Sequence, residues 1–381
     1  MKIIYIYDTV AVIGGVERIF IDKMNYLADK LHHEVYLLTS SQGNHPVSFP
    51  LSPNVRHIDL GIRHHVQYQY PLPQRLWIKY KLKRLCNKRL KETVRKIDPD
   101  ILIGTTSYLS AEICQLKCRA KKIIESHGAR DFIHLTDDFK MGFPKDLINK
   151  FNTNRRFHFI EKYSDAVVAL TQADAKAWGK ASKVYVIPNF TNFISPQSSS
   201  CKPTRVIAAG RLTYQKGFDR LIDAWRIVGR QHPDWRLDIF GEGIRQQALT
   251  GQIKENGQEE VITIHPFTSH IVKEYLNSSI FALSSNYEGF VLVLLEAMGC
   301  GLPCVAFDCP NGPAETIKDK EDGLLVRNGD IQGFADAICY LIEHEAERKR
   351  LGGNAKVSIG HYSPEKIMPL WEKLFKELTS Q

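Results

Sequence analysis

The chain has 381 residues, 43% hydrophobic and 24% charged, without a low-complexity tract; this length fits two ordinary domains, and the composition excludes a disordered or fibrous protein. No apolar run approaches the ~18 residues needed to cross a bilayer, and the N-terminal stretch IIYIYDTVAVIGG is interrupted by Asp8 and so does not read as a secretory signal. The formal charge of +9 is uneven: residues 1–200 carry 30 Lys and Arg against 18 Asp and Glu, whereas residues 201–381 carry 21 against 24.

The first half opens with a strand at KIIYIY, a turn through DTVAVIGG and a helix from Val16, followed by a strand at EVYLLT. Gly14 and Gly15 in that turn allow close backbone approach; taken alone they indicate a tight strand-to-helix turn. Next comes WIKYKLKRLCNKRLKETVRK, residues 77–96, with nine Lys and Arg and one Glu. Ile78, Leu82, Leu85, Leu90 and Val94 recur there at helical spacing, so one face is apolar and the rest cationic. No aromatic-interleaved or helix-turn-helix pattern accompanies it, which argues against nucleic acid. An anionic membrane surface or a lipid-diphosphate acceptor fits it, and an ordinary solvated helix face is the plain alternative.

Further strands are expected at DILIG, KKIIES, AVVAL and KVYVIP, with helical segments between several of them. This βαβ succession predicts a parallel sheet covered on both faces. His127 follows the strand KKIIES, where such a sheet meets its cleft; an exposed turn histidine is the competing reading. Two DxD-like strings, DPD at 98–100 and TDDF at 136–139, read as turn and irregular chain and not as a metal site. The Pro-, Ser- and Asn-rich stretch 188–203 reads as the connection between two domains.

The second half repeats the rhythm. Strands are expected at RVIAAG, RLDIF, VITIH, IFALSS, PCVAFD and GLLV, and helices from Phe218, Ile244, Ile271, Leu292 and Ile331. The last segment, SPEKIMPLWEKLFKELTS, opens on a Ser-Pro cap signal and has an amphipathic period. The eight cysteines include no Cys-x-x-Cys pair and no histidine cluster, and so read as small core residues kept reduced.

The stretch SSNYEGFVLVLLEAMGCGLPCVAFDC, residues 284–309, holds two acids in apolar surroundings before Asp308: Glu288 and Glu296. A buried carboxylate is costly unless paired. With a helix beginning just after Gly289, Glu288 sits at its N-terminus and Glu296 two turns on, eight residues or ~12 Å away. That is about the span from a hexose ring to a ribose across a diphosphate, and the helix N-terminus between them attracts phosphate. A nucleotide sugar therefore fits the pair. Taken singly, Glu288 is also a common helix N-terminal acid, and Glu296 could be a buried salt bridge to an arginine of a neighbouring helix.

Glu288, seven residues, then Glu296, followed by GCGLPCVAFD, resembles the EX7E signature of glycosyltransferase family 4, which has the GT-B fold. GGVERI at 14–19, SHG at 126–128, AGRLTYQKGFDRLIDAW at 209–225, IFGEG at 239–243 and NGPAETI at 311–317 are similar to the family in the same order. The resemblance implies an α/β chain of two Rossmann-like domains with parallel sheets facing a cleft. Residues 1–190 would bind the acceptor and 191–362 the donor, with the C-terminal helix 363–381 packing back on the first domain.

The resemblance also implies roles. Arg211 and Lys216 would hold the donor diphosphate, Glu296 the ribose, and Glu288 the region beside the transferred sugar. Gly14 and Gly15 would approach the phosphates or the reacting centre, and His127 the donor sugar. Phe267 would lie near the base, and Gly289, Phe290 and Val291 along the nucleotide sugar. The expected enzyme transfers a hexose or N-acetylhexosamine, with retention, from a UDP-linked donor to a lipid-linked or growing polysaccharide, without a metal, at the cytoplasmic face of the cell membrane. The alternatives are a nucleotide-sugar 2-epimerase of the same architecture and a non-catalytic sugar-nucleotide or lipid-binding protein.

Overall fold

A computed structural model describes residues 1–106, 109–132, 145–181 and 183–380; the TDDF string at 136–139 lies outside them. Two parallel sheets organise the chain. The first contains β1 (Lys2–Tyr7), β2 (Glu34–Thr39), β3 (Val55–Asp59), β4 (Ile101–Thr105), β5 (Lys121–Ser126), β6 (Ala166–Ala169) and β7 (Val184–Val186). Their spatial order is β3-β2-β1-β4-β5-β6-β7. The second contains β8 (Arg205–Ala209), β9 (Arg236–Phe240), β10 (Ile262–His265), β11 (Ile280–Leu283), β12 (Cys304–Asp308) and β13 (Leu324–Arg327), in the order β10-β9-β8-β11-β12-β13.

Helices cover both faces of the sheets. In the first unit they are α1 (Gly15–Asp29), α2 (Leu72–Ile97), α3 (Ser110–Gln115), α4 (Lys145–Tyr163) and α5 (Gln172–Ala177). The second has α6 (Phe218–Gln231), α7 (Gln246–Glu255), α8 (Ile271–Leu276), α9 (Leu292–Gly299), α10 (Ile331–Glu343) and α11 (Glu345–Ser358), and the chain closes with α12 (Pro364–Thr379).

Central strands show why the pattern is α/β. Ile3 to Ile6 of β1 are all buried, and alternate side chains enter opposite cores. Ile3 and Tyr5 pack with Phe20 and Met24 of α1 and with Met368, Trp371 and Phe375 of α12. Ile4 and Ile6 join Leu90 and Val94 of α2 on the other face. In the second unit Val206 and Ala208 meet α6 and α10, while Ile207 and Ala209 meet α9. The connection 188–203 is packed rather than loose: Phe190 is buried in the first core, Thr191 N donates to Tyr362 O at 2.9 Å, and Ser199 N donates to Cys300 O at 2.8 Å. The eight cysteines are free thiols, seven of them buried.

Three elements differ from the sequence expectation. Strand β3 has no apolar run to announce it, with Arg56 and His57 exposed on an edge. Helix α2 begins at Leu72, five residues ahead of the basic stretch. Helix α11 carries Glu, Arg and Lys around most of its circumference, so its hydrophobic period is weak. Among the described residues no helix is long and apolar enough to cross a membrane.

Candidate active site

In each sheet the strand order reverses beside the first strand, between β1 and β4 and between β8 and β11. Such switch points open a crevice at the carboxyl ends of the strands. The sequence-selected residues fall on these edges: Gly14 and Gly15 after β1, His127 after β5, Arg211 and Lys216 after β8, Glu288 after β11, and Phe267 after β10.

On the second edge two loops are locked together. Gly217 has φ 59°, and a Cβ there would stand 2.2 Å from the Ser284 carbonyl oxygen, so only glycine allows this approach. Ser284 Oγ donates to Lys216 O at 3.0 Å, and Asn286 N donates to Gln215 O at 2.8 Å. This register brings Lys216 Nζ to 2.7 Å from Glu288 Oε1. Ser285 Oγ donates to the same oxygen at 2.5 Å, and Gln215 Nε2 donates to Glu288 Oε2 at 3.2 Å. Glu288 is only 3% exposed, and these three donors compensate its burial.

Helix α9 starts at Leu292, where the strand-and-helix rhythm placed it, with Val291 as its N-cap, and not directly after Gly289 as the reading of the glutamate pair took it. Glu288 therefore stands ahead of the helix, held by Lys216 rather than by the helix end. Phe290 and Val291 bridge from it to the helix, and Val291 is buried in the α9 core. The Arg211 side chain is exposed and meets no carboxylate among the described residues. Phe267 stands apart beyond the outer strand β10, 55% exposed.

The first edge meets the second through small residues. A Cβ on Gly15 would lie 3.0 Å from Leu292 Cδ1, and one on Gly289 would lie 2.2 Å from the His127 carbonyl oxygen. Arg18 of α1 reaches across, its Nη1 2.6 Å from Glu296 Oε1. Burial pushes the Glu296 carboxyl up, and Arg18 opposes that. Glu296 is thus in the salt bridge weighed above, and the arginine belongs to the opposite unit. Phe132 stacks on Tyr287 with centroids 5.4 Å apart, and Glu315 accepts from the Gln172 and Ala173 amides of α5 at 2.8 and 3.0 Å. His127 Nε2 lies 2.8 Å from Glu125 Oε2, and Glu125 also pairs with Lys23.

The structure therefore unites Lys216 with Glu288, sets His127 against Gly289 and places Glu296 at the seam. Asp98 and Asp100 of the DPD string are engaged by Arg119 at 2.9 and 3.4 Å. Among the described residues, no group of three or more His, Cys, Asp or Glu is placed to hold a metal. Sequence reasoning missed Arg18, Gln215, Ser285, Glu315, Lys23 and Glu125. A signal existed for the last two. Lys23 interrupts the apolar face that runs through Phe20, Met24 and Leu27, and Glu125 ends an otherwise apolar strand.

Comparison with known proteins agrees with this architecture. Residues 13–193 match the model for Glycosyltransferase Family 4, and residues 190–358 match that for Glycosyl transferases group 1. The amylovoran biosynthesis glycosyltransferase AmsD of Erwinia amylovora is 37% identical over 221 residues, 55% of this chain and 62% of its own length. The match thus spans under two thirds of that relative. An uncharacterized glycosyltransferase of Haemophilus influenzae is 28% identical over 375 residues, 94% of this chain and 95% of its own. A TarM variant of S. aureus, solved with fondaparinux, alpha-GlcNAc-glycerol and UDP, superposes with a TM-score of 0.78 at 16% identity, covering 98% of this chain and 99% of that one. With two facing Rossmann-like units and both halves matched in order, the chain belongs to the GT-B glycosyltransferases of family 4.

Proposed function

We propose that this chain is a retaining glycosyltransferase that moves a hexose or N-acetylhexosamine from a UDP-sugar to a lipid-linked or growing polysaccharide. One observation carries the reading: Lys216 and Glu288 are joined at 2.7 Å on the carboxyl edge of the second sheet, ahead of α9 and facing the other unit. The name of the Erwinia relative supports a polysaccharide setting, and the UDP bound by TarM supports the base.

In this reading residues 191–362 bind the donor, and residues 1–190 with the C-terminal helix 363–381 bind the acceptor. Arg211, Lys216 and the first amides of α9 take the diphosphate, with Gly14 and Gly15 allowing backbone approach from the other side. Glu296 takes the ribose hydroxyls by exchanging Arg18 for them. Glu288 and His127 flank the transferred sugar, the chain from Gly289 to Val291 lies along it, and Phe267 lies near the base. The acceptor oxygen bonds to the anomeric carbon on the face the diphosphate leaves, and its proton passes to the departing phosphate oxygen. The cations stabilise the charge that develops there, the interaction that lowers the barrier, and no metal is required of them.

Helix α2 supports a membrane-borne acceptor. Its C-terminal half is buried through Cys86, Leu90, Val94 and Ile97, but Leu72, Leu76, Trp77 and Tyr80 of its N-terminal half are exposed beside Lys79, Lys81 and Lys83. An amphipathic helix of this composition lies in an anionic lipid interface, here the cytoplasmic leaflet. Flotation with anionic vesicles at low salt should carry the protein upward, and failure to float removes this part. The reaction itself is tested by UDP release from a panel of UDP-sugars with acceptor present. Conversion of UDP-N-acetylglucosamine without acceptor, followed by NMR, would instead identify an epimerase.

A further inference from the structure

The first unit contains a buried ion pair that the proposed chemistry does not use. Lys23 of α1 is 1% exposed and Glu125 at the end of β5 is 0% exposed. Removing two charges from water costs several kcal/mol per ion, and a well-packed apolar pair would serve the fold as well. The surroundings are tight: the Lys23 ammonium lies 4.6 Å from the Trp371 ring centroid of α12 and 5.3 Å from that of Phe20. Tyr5 of β1 and Glu17 of α1 are the other ionisable neighbours of the cluster.

The pair has a third member. Glu125 Oε2 receives both the Lys23 ammonium and His127 Nε2, the latter at 2.8 Å. His127 is itself buried, its ring 5.4 Å from that of Phe20, and its carbonyl oxygen is the atom packed against Gly289 across the crevice. A carboxylate can only accept, so Nε2 must carry a hydrogen, and a neutral imidazole has only one. Nδ1 is then left with its lone pair.

Each link depends on the one before. Burial alone would raise the Glu125 carboxyl, but Lys23 and His127 outweigh burial and hold it below the ordinary carboxylate value. Burial pushes the His127 imidazolium down, against the pull of Glu125, which favours the neutral ring. Without Lys23, Glu125 would gain a proton, become a donor and free the imidazole to exchange tautomers.

We propose that Lys23 and Glu125 are positioning residues that hold His127 as the neutral Nε2–H tautomer, so that Nδ1 accepts a hydrogen bond from a hydroxyl of the transferred sugar. The sugar contact rests on the placement of His127 given under the proposed function; the tautomer lock does not. The ring is a fixed acceptor here and gives no proton to the reaction.

The test is imidazole ¹⁵N NMR on the full chain, with the His127 signal assigned by its loss in His127→Gln. The expected spectrum shows Nε2–H, with any titration displaced below the ordinary imidazole range. Lys23→Met should introduce the other tautomer and lower kcat about tenfold, the scale of one lost hydrogen bond, with the donor KM nearly unchanged. Lys23→Arg should restore both. An Nδ1–H signal in the parent, or titration near the ordinary value of ~6.5, overturns the lock even if Lys23→Met fails to fold. Parental turnover in His127→Ala, alongside a fixed tautomer in the parent, overturns the sugar contact and the placement beneath it, and leaves the lock standing.

Discussion

The two carboxyl edges that face each other compensate a buried acid differently. On the second edge Glu288 is compensated by Ser285, three residues earlier, and by Gln215 and Lys216 in a loop fastened to its own by Ser284 and Asn286. Gln215 and Lys216 are part-exposed while Ser285 is buried, and in the proposed function Lys216 exchanges the carboxylate for the donor diphosphate. On the first edge Glu125 is compensated by Lys23, 102 residues earlier, inside a box of aromatic rings. On the proposed function and the inference above, the difference separates a site that exchanges partners from one that holds a single group still. Glu296 stands between the two cases, part-buried and bonded to the opposite unit through Arg18.

The largest way to break this contrast is Lys216→Ala. It removes a cation from the proposed leaving diphosphate and strips Glu288 of its ion-pair partner. Turnover measured by UDP release should fall by ~10²–10³, the scale of losing one electrostatic stabiliser, with a smaller change in donor KM. Equal activity in parent and variant would refute the exchange site.

Gly289→Ala comes next. Its Cβ would stand 2.2 Å from the His127 carbonyl oxygen, so the two edges could not close to their present distance. A displacement near 1 Å can cost ~10² in rate. UDP affinity by calorimetry should stay near that of the parent, because Gly289→Ala obstructs the seam and leaves Lys216 and Glu296 in place. A matching loss of UDP affinity would show that the glycine serves the donor loop and not the closure.

Much of the second edge could be read in the sequence, because its partners are close along the chain. GRLTYQKG and the two glutamates each span a single loop or helix, and their resemblance to the family's strings placed Arg211, Lys216 and Glu288 after the neighbouring strands β8 and β11, with Glu296 on α9. The rhythm placed the helix start at Leu292, and only the extension back to Gly289 failed, because Phe290 and Val291 are as apolar as the helix that follows them. The first edge was hidden for the opposite reason. Lys23 and Glu125 meet only when β5 lies beside β4 and α1 crosses the sheet, and no local pattern reports that distance. Arg18 lay inside the recognised string GGVERI, but only the closing of one unit on the other shows what it binds.

A smaller effect sharpens the intermediate case. Arg18→Ala removes the group that occupies Glu296. A partly exposed salt bridge is worth about 1 kcal/mol or less, so UDP should bind at most about fivefold more tightly. Weaker binding by calorimetry would make Arg18 a ligand for the nucleotide rather than its competitor.

The smallest expected effect concerns acid stability. The folded Glu125 carboxyl lies below its ordinary value, so the unfolded chain binds more protons in the window below ~4.3. Stability from this group is complete above that window and is lost as pH falls through it. Thermal melts of the parent and Glu125→Gln should therefore converge on acidification through that range. A constant difference between them would mean that the carboxylate charge contributes nothing to folding.

A crystal structure with a UDP-hexose tests the central claim most directly. The account predicts the diphosphate within hydrogen-bond reach of Arg211 and Lys216, the ribose hydroxyls on Glu296 with Arg18 displaced, and the hexose between Glu288 and His127. A nucleotide bound away from the crevice, or one bound within it while Arg18 keeps Glu296, would contradict the account.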